Sequence, residues 1–375
     1  MKVAILSMQR IENYGSLLQA YALKKFLESF GAEVEFMDIK KIPEDYNEGI
    51  GKYFNFRNEY EGRGVELSKI NRFLPTRVKH KLLGTIYNKQ NKYFEDFRNE
   101  TLDISKKSQH YDLCVIGSDE VFSCMDANWW GFTSQLFGNI PEAYNVITYA
   151  ASCGATKYSD LPEKIVEKIK LSFENISSFS VRDENTKQFV EKLTDKKVLC
   201  NLDPVLVYDF NKEIESVKIP KLPKRYCVIY SYVNRINNDS EINAILSFCK
   251  RNKLTPITVY GTQFWCKKHI NCAPFECLKI INNSDFVITD TFHGAIFSTK
   301  YAKRFAIIVR ESNKNKLSDL TTRVGVDDHV INNIGDLQNI FSLKKNEAKI
   351  NSVLEEQRKI TIDYLKDSVI SNGRK

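Results

Sequence analysis

The stretch from Asp285 to Ala295 concentrates more chemistry than any other in the chain. Phe286 to Thr289 reads as a buried strand that delivers Thr289, Asp290 and Thr291 into a turn, with His293 and Gly294 opening the helix that follows. The first amides of a helix lack acceptors within the helix and carry positive partial charge, so an anion there would meet N–H donors and an imidazole together. An imidazole so placed can act as a general acid or base at neutral pH.

Three other runs sit at expected strand ends, where ligands of open parallel sheets bind. Asn13-Tyr14-Gly15-Ser16 follows the first strand; Gly15 permits close backbone approach and the free amides suit an anion, but an ordinary turn with Ser16 as N-cap fits equally well. Gly117-Ser118-Asp119 follows Leu113 to Ile116 and could hold sugar hydroxyls or a phosphate, or only cap the next segment. Arg182 ends the run from Ile176, and its fork of donors fits a carboxylate or phosphate. The competing reading is a surface salt bridge from Arg182 to Asp183 or Glu184. His80, His110, His269 and His329 have no comparable setting and read as surface residues.

The elements that must position these groups alternate short apolar runs with amphipathic helical stretches, the pattern of βαβ units. One series runs from Val3 to Cys200, with helices expected at about 16–30, 161–173 and 183–193. A second begins after Pro220 and Pro223, with strands at 226–232, 257–260, 286–289 and 305–309. The reading is α/β, with an N-terminal domain over residues 1–209 that carries an aromatic, basic insertion at about 41–107. A second domain spans 225–344, the intervening stretch reads as a linker, and a C-terminal helix over 345–375 packs back on the first domain.

Composition narrows the class. The 375 residues are 42% apolar and 27% charged, which excludes disordered and collagen-like chains. Nine cysteines in no paired CxxC frame point to a reducing cytoplasm. The formal charge of +8 slightly favours anionic partners, yet the basic residues are scattered apart from a modest cluster between Arg72 and Lys92, and no nucleic-acid partner is expected. No HExxH, Walker lysine loop, GxSxG elbow or dinucleotide GxGxxG occurs. Cys266, Cys272, Cys277 and His269 match no common zinc spacing, so no metal site is expected.

Taken together, Asn13 to Leu23, Val115 to Asp119, Tyr149 to Ser152, Ser180 to Asp183, Leu202-Asp203-Pro204 and Asp285 to Ser298 resemble the polysaccharide pyruvyl transferases. The resemblance implies two Rossmann-like domains facing a cleft, as in GT-B glycosyltransferases. It implies transfer of the enolpyruvyl group of phosphoenolpyruvate to two hydroxyls of one sugar, without a further cofactor. By residue it places the family's catalytic arginine on Arg182 and its histidine on His293. Asn13, Gly15, Ser16, Gly117, Ser118, Asp119, Asp290, Thr291 and Gly294 are the expected donor- or substrate-binding positions. The acceptor it implies is a saccharide, lipid-linked in bacteria, met by a cytoplasmic protein that can sit peripherally at the inner face of the membrane. Alternatives on the same fold are a nucleotide-sugar glycosyltransferase and a non-catalytic glycan-binding or scaffold subunit. Two departures from the family pattern bear on ligand contacts: Glu120, Val121, Phe122 and Ser123 replace a loop that often carries Gln, an apolar residue, Trp and Asn, and Asn315-Lys316 replaces a Ser-Arg pair.

Overall fold

The computed structural model describes residues 1–47, 76–125, 131–233, 235–266 and 268–372. Residues 48–75 of the expected insertion, with Tyr53 and Arg72, lie outside the described residues, as does the side chain of His80. The chain divides into two compact units, the first comprising Met1–Arg63, Arg98–Tyr208 and Leu354–Lys375, the second Gly64–Phe97 and Asp209–Val353.

In the first unit β1 (Lys2–Leu6), β2 (Glu33–Met37), β3 (Tyr111–Asp119), β4 (Ala143–Ala151), β5 (Ile176–Val181) and β6 (Val198–Cys200) form one sheet, in the order β2-β1-β3-β4-β5-β6, with parallel pairs throughout. Both faces of such a sheet are covered, which is why these strands are near-continuous apolar runs. Helix Glu163–Phe173 packs through Ile165, Ile169 and Phe173, spaced four apart on one stripe and fully buried. Phe173 meets Phe122, Phe137 and Phe179 at centroid distances of 5.6, 5.8 and 4.9 Å, an aromatic cluster at the centre of this core.

The C-terminal helix, Glu347–Asn372, packs on this unit over its part from Leu354, as the sequence reading expects. The Tyr364 hydroxyl donates to the Thr148 carbonyl at 2.7 Å, the Tyr149 and Thr361 hydroxyls meet at 3.0 Å, and Arg358 Nε donates to the Val207 carbonyl at 2.6 Å.

The second unit holds β7 (Tyr226–Tyr230), β8 (Thr255–Tyr260), β9 (Lys268–His269), β10 (Phe286–Thr289), β11 (Phe305–Ile308) and β12 (Val330–Ile331). Their order is β12-β11-β10-β7-β8-β9, again with parallel pairs. Counted within the unit this is 3-2-1-4-5-6 read from the far edge, the doubly wound order of dinucleotide-binding domains, whereas the first unit has the 2-1-3-4-5-6 order. The two-residue strands β9 and β12 carry too little pattern to be read from sequence. Asn211–Ser216, within the stretch read as a linker, is a helix of this unit, and the Lys279 ammonium donates to the Val217 carbonyl just beyond it. Helix Thr76–Asp96 is pinned to the same unit: the Gln90 amide donates to the Cys272 carbonyl at 2.9 Å and accepts from the Cys272 N–H at 3.1 Å.

Candidate functional site

A doubly wound sheet opens a crevice where its strand order reverses, at the carboxyl ends of the two strands that flank the reversal. In the first unit that point lies between β1 and β3. The expected residues after these strands meet there, for the Ser16 hydroxyl donates to Asp119 Oδ2 at 2.7 Å. Helix Tyr14–Ser29 starts two residues earlier than expected because Asn13 is its N-cap, accepting from the Gly15 N–H at 2.8 Å. Ser16 is therefore inside the helix, not its cap, and its hydroxyl is committed to Asp119.

Asp119 holds a left-handed backbone, φ +79°, and Gly117 has φ +117°. A β-carbon on Gly117 would lie 2.3 Å from the Tyr149 carbonyl oxygen, so only glycine fits this close strand crossing. The Ser118 carbonyl accepts from Ser7 Oγ at 2.9 Å, and Ser118 Oγ faces the Ala150 carbonyl at 3.2 Å and Asp203 Oδ2 at 3.4 Å.

Arg182, just past β5, is 3% exposed. Its Nη1 lies 3.2 Å from Asp203 Oδ2 and 3.7 Å from Asp119 Oδ1. Burial opposes its charge, but the carboxylates of Asp203, Asp119, Asp183 and Glu120 outweigh that penalty and push the guanidinium pKa up. In place of the surface salt bridge considered from the sequence, Arg182 makes a buried pair with Asp203. Asp183 instead caps helix Glu184–Glu191, accepting from the Thr186 N–H at 2.8 Å and from Ser152 Oγ at 2.9 Å. Ser16, Ser118, Asp119 and Arg182 thus form one network with Asp203, while Asn13 serves as the cap of the helix that carries Ser16. Sequence reasoning assigned Asp203 no role, although it follows β6 and stands in the Leu202-Asp203-Pro204 motif.

The second unit reverses between β10 and β7. Past β10, Thr291 caps helix Phe292–Tyr301, its hydroxyl accepting from the Gly294 N–H at 3.0 Å, while the Thr291 N–H donates to Thr289 Oγ1 at 3.2 Å. His293 occupies the first turn, 8% exposed, with its ring 6.1 Å from that of Phe297. A β-carbon on Gly294 would fall 2.0 Å from Thr289 Oγ1 and 2.7 Å from Tyr230 Cδ1, so glycine is required for the helix start to lie against β7.

Asp290 is fully buried, and burial pushes its carboxyl above the ordinary carboxylate value against the pull of Arg235 and Arg310. Arg310 Nε lies 3.2 Å from Asp290 Oδ2, and its Nη2 lies 2.8 Å from Glu241. The Asp290 carbonyl accepts from Asn313 Nδ2 at 2.7 Å and from Arg235 Nη1 at 3.2 Å. Neither Arg235 nor Arg310 was singled out from the sequence. Both stand a few residues past a strand, the position that marked Arg182.

The histidines read as surface residues divide. His110 is exposed. His329 is 1% exposed, stacked 4.1 Å from Phe305 with Nδ1 3.0 Å from the Phe305 carbonyl. His269 is also largely buried beside Thr258, 2.9 Å from its hydroxyl, and burial lowers its pKa to about 4 despite the opposing Asn271. No group of three or more His, Cys, Asp or Glu side chains suited to a metal occurs among the described residues. Among them, too, no helix is long and apolar enough to cross a membrane. Of the departures, Val121 and Phe122 belong to the first core and Ser123 is 4% exposed, while Lys316 is half-buried on helix Lys314–Val324.

Two doubly wound α/β units, each with polar and charged groups gathered at its switch point, define the class. Within it the sequence matches polysaccharide pyruvyl transferase over residues 13–312, and the chain belongs to that family. No curated protein matches it significantly. Among solved structures it is similar to the UDP-GlcNAc 2-epimerase of Methanocaldococcus jannaschii in complex with UDP-GlcNAc and UDP, at 13% identity and TM-score 0.48, over 96% of this chain and 99% of that one. The UDP-GlcNAc 2-epimerase of Neisseria meningitidis bound to UDP-GlcNAc is similar at 11% identity and TM-score 0.44, over 99% of each chain. The E. coli heptosyltransferase WaaC with ADP is similar at 9% identity and TM-score 0.37, over 82% of this chain and 87% of that one.

Proposed function

We propose that the protein moves the enolpyruvyl group of phosphoenolpyruvate onto two hydroxyls of one sugar in a surface-glycan precursor. The family match over residues 13–312 carries this reading. In the first step His293 protonates the methylene carbon of the donor, and positive charge develops at the carbon bearing the phosphate. One sugar hydroxyl attacks that carbon and its proton returns to the imidazole. The C–O bond to phosphate then breaks, the second hydroxyl closes the ring, and its proton leaves with the phosphate. The products are a cyclic pyruvate ketal and inorganic phosphate.

Arg182 is the cation that steadies the donor's anionic charge in this scheme, and the Asp119 carboxylate, held by the Ser16 hydroxyl, is a group suited to sugar hydroxyls. Gly294 and Thr291 set the helix start that presents His293. The acceptor we propose is a lipid-linked saccharide, met by a cytoplasmic protein at the inner face of the membrane.

The test is phosphate release from phosphoenolpyruvate in the presence of pooled bacterial lipid-linked saccharides, with His293→Ala run alongside. Acceptor-dependent release by the wild type and its loss in the variant are expected. A protein that neither releases phosphate nor gains thermal stability with phosphoenolpyruvate would overturn the reading. A response to a nucleoside diphosphate alone would turn it toward glycosyl transfer.

A further inference from the structure

Phosphoenolpyruvate carries a carboxylate and a phosphate, so its binding draws on more than one cationic group, and one outside an ion pair is the most available. Arg182 lies among the carboxylates of Asp203, Asp119, Asp183 and Glu120, and Arg310 between Glu241 and Asp290. Arg235 differs from both. It forms no ion pair among the described residues, although its charge does pull on the buried Asp290 carboxyl, and its direct contacts are to neutral groups: Nη1 donates to the Asp290 carbonyl at 3.2 Å, Nη2 to Ser312 Oγ at 3.3 Å, and the guanidinium lies 4.8 Å from the Tyr232 ring centre.

Three features of this placement matter. The residue follows β7 at the reversal of the second sheet, and the carbonyl it holds belongs to Asp290, three residues ahead of His293. Stacking on Tyr232 and the two hydrogen bonds fix the guanidinium plane before any ligand arrives, which lowers the ordering cost of binding. The side chain is neither buried nor fully exposed, so its charge is reachable yet only partly screened by water.

We propose that Arg235 is a donor-binding residue, receiving an anionic group of phosphoenolpyruvate beside the Asp290 to His293 turn. The proposal rests on the pyruvyl-transfer reading for the identity of the anion. It adds to the second unit a cation outside any ion pair among the described residues, beside the role that the proposed scheme gives Arg182.

The experiment is titration of the full-length protein with phosphoenolpyruvate, and separately with inorganic phosphate, over a range of ionic strength, for the wild type, Arg235→Gln and Arg235→Lys. Loss of a charge-assisted contact should raise the Kd for phosphoenolpyruvate roughly tenfold or more in Arg235→Gln and flatten its salt dependence. Arg235→Lys should fall between, keeping the charge but not the fork. A merely structural role for Arg235 would leave the salt dependence unchanged. Equal affinity and equal salt dependence in Arg235→Gln and the wild type would overturn the proposal while leaving pyruvyl transfer standing. A wild type that does not bind phosphoenolpyruvate would remove both. Should Arg235→Gln fail to fold, Arg235→Lys decides: a Kd raised severalfold supports the role, and an unchanged Kd overturns it.

Discussion

Arg182 Nη1 lies 3.2 Å from Asp203 Oδ2, with both side chains almost wholly out of solvent. The partners come from the ends of adjacent strands, β5 and β6, and the Asp203 carboxylate also caps the turn after β6 by accepting from the Val205 N–H at 3.0 Å. The pair therefore ties a structural turn to the network that reaches Asp119 and Ser16.

Removing one member of a buried pair leaves the other charge uncompensated, which typically costs about 3–5 kcal/mol. Arg182→Ala should lower the unfolding free energy by an amount of that order and abolish turnover. Denaturant unfolding beside the activity assay checks both, and a fully stable Arg182→Ala would show that the pair contributes nothing to the fold. Arg182→Lys should recover part of the stability and little of the activity, because an ammonium cannot reproduce the planar fork.

Gly294→Ala should be more harmful than an alanine in a first helical turn normally is. The added methyl meets Thr289 Oγ1, Thr291 Oγ1 and Tyr230 at once, and overpacking of this kind costs roughly 1–3 kcal/mol. The helix start bearing His293 must shift to relieve it. The expected result is a modestly lower Tm with a large loss of kcat, and wild-type turnover by Gly294→Ala would argue against His293 as the proton carrier.

His269 gives a signed pH dependence. Its pKa falls from the ordinary 6.5 to about 4 in the folded protein, chiefly through burial. The unfolded chain therefore binds the extra proton more readily, so the stability linked to this group is present above pH 6.5 and is lost as pH falls toward about 4. The shift corresponds to on the order of 3 kcal/mol. Tm measured from pH 7.5 to 4 for the wild type and His269→Gln should show the gap between them changing in the variant's favour on acidification. Parallel profiles would contradict a buried neutral imidazole.

The C-terminal helix should be needed by the first unit. Tyr364→Phe removes the hydrogen bond from its hydroxyl to the Thr148 carbonyl and should cost about 1 kcal/mol, read from denaturant unfolding. Ending the chain at Val353 removes Arg358, Thr361 and Tyr364 together and should leave a protein that aggregates or exposes apolar surface to a hydrophobic dye. A stable, active truncation would sink this view.

The sequence by itself determined the local structure of the sites. Apolar runs such as Phe286 to Thr289 and Ile176 to Val181 must be buried strands, and the polar residues after them must fall at strand ends, because burial and backbone hydrogen bonding act on neighbouring residues. That placed Arg182 just past its strand and His293 in the first turn of its helix, whereas β3 runs on to Asp119, three residues beyond the expected end at Ile116. Which charges meet was decided only by the tertiary structure. Arg182 pairs with Asp203, 21 residues on, and Arg235 holds the carbonyl of Asp290, 55 residues on, because strand order brings β5 beside β6 and β7 beside β10. Strand order follows from how whole faces of a sheet are covered, a sum over the unit that no local run encodes. The same holds for His329, which is buried against Phe305, 24 residues earlier, because β11 pairs with β12.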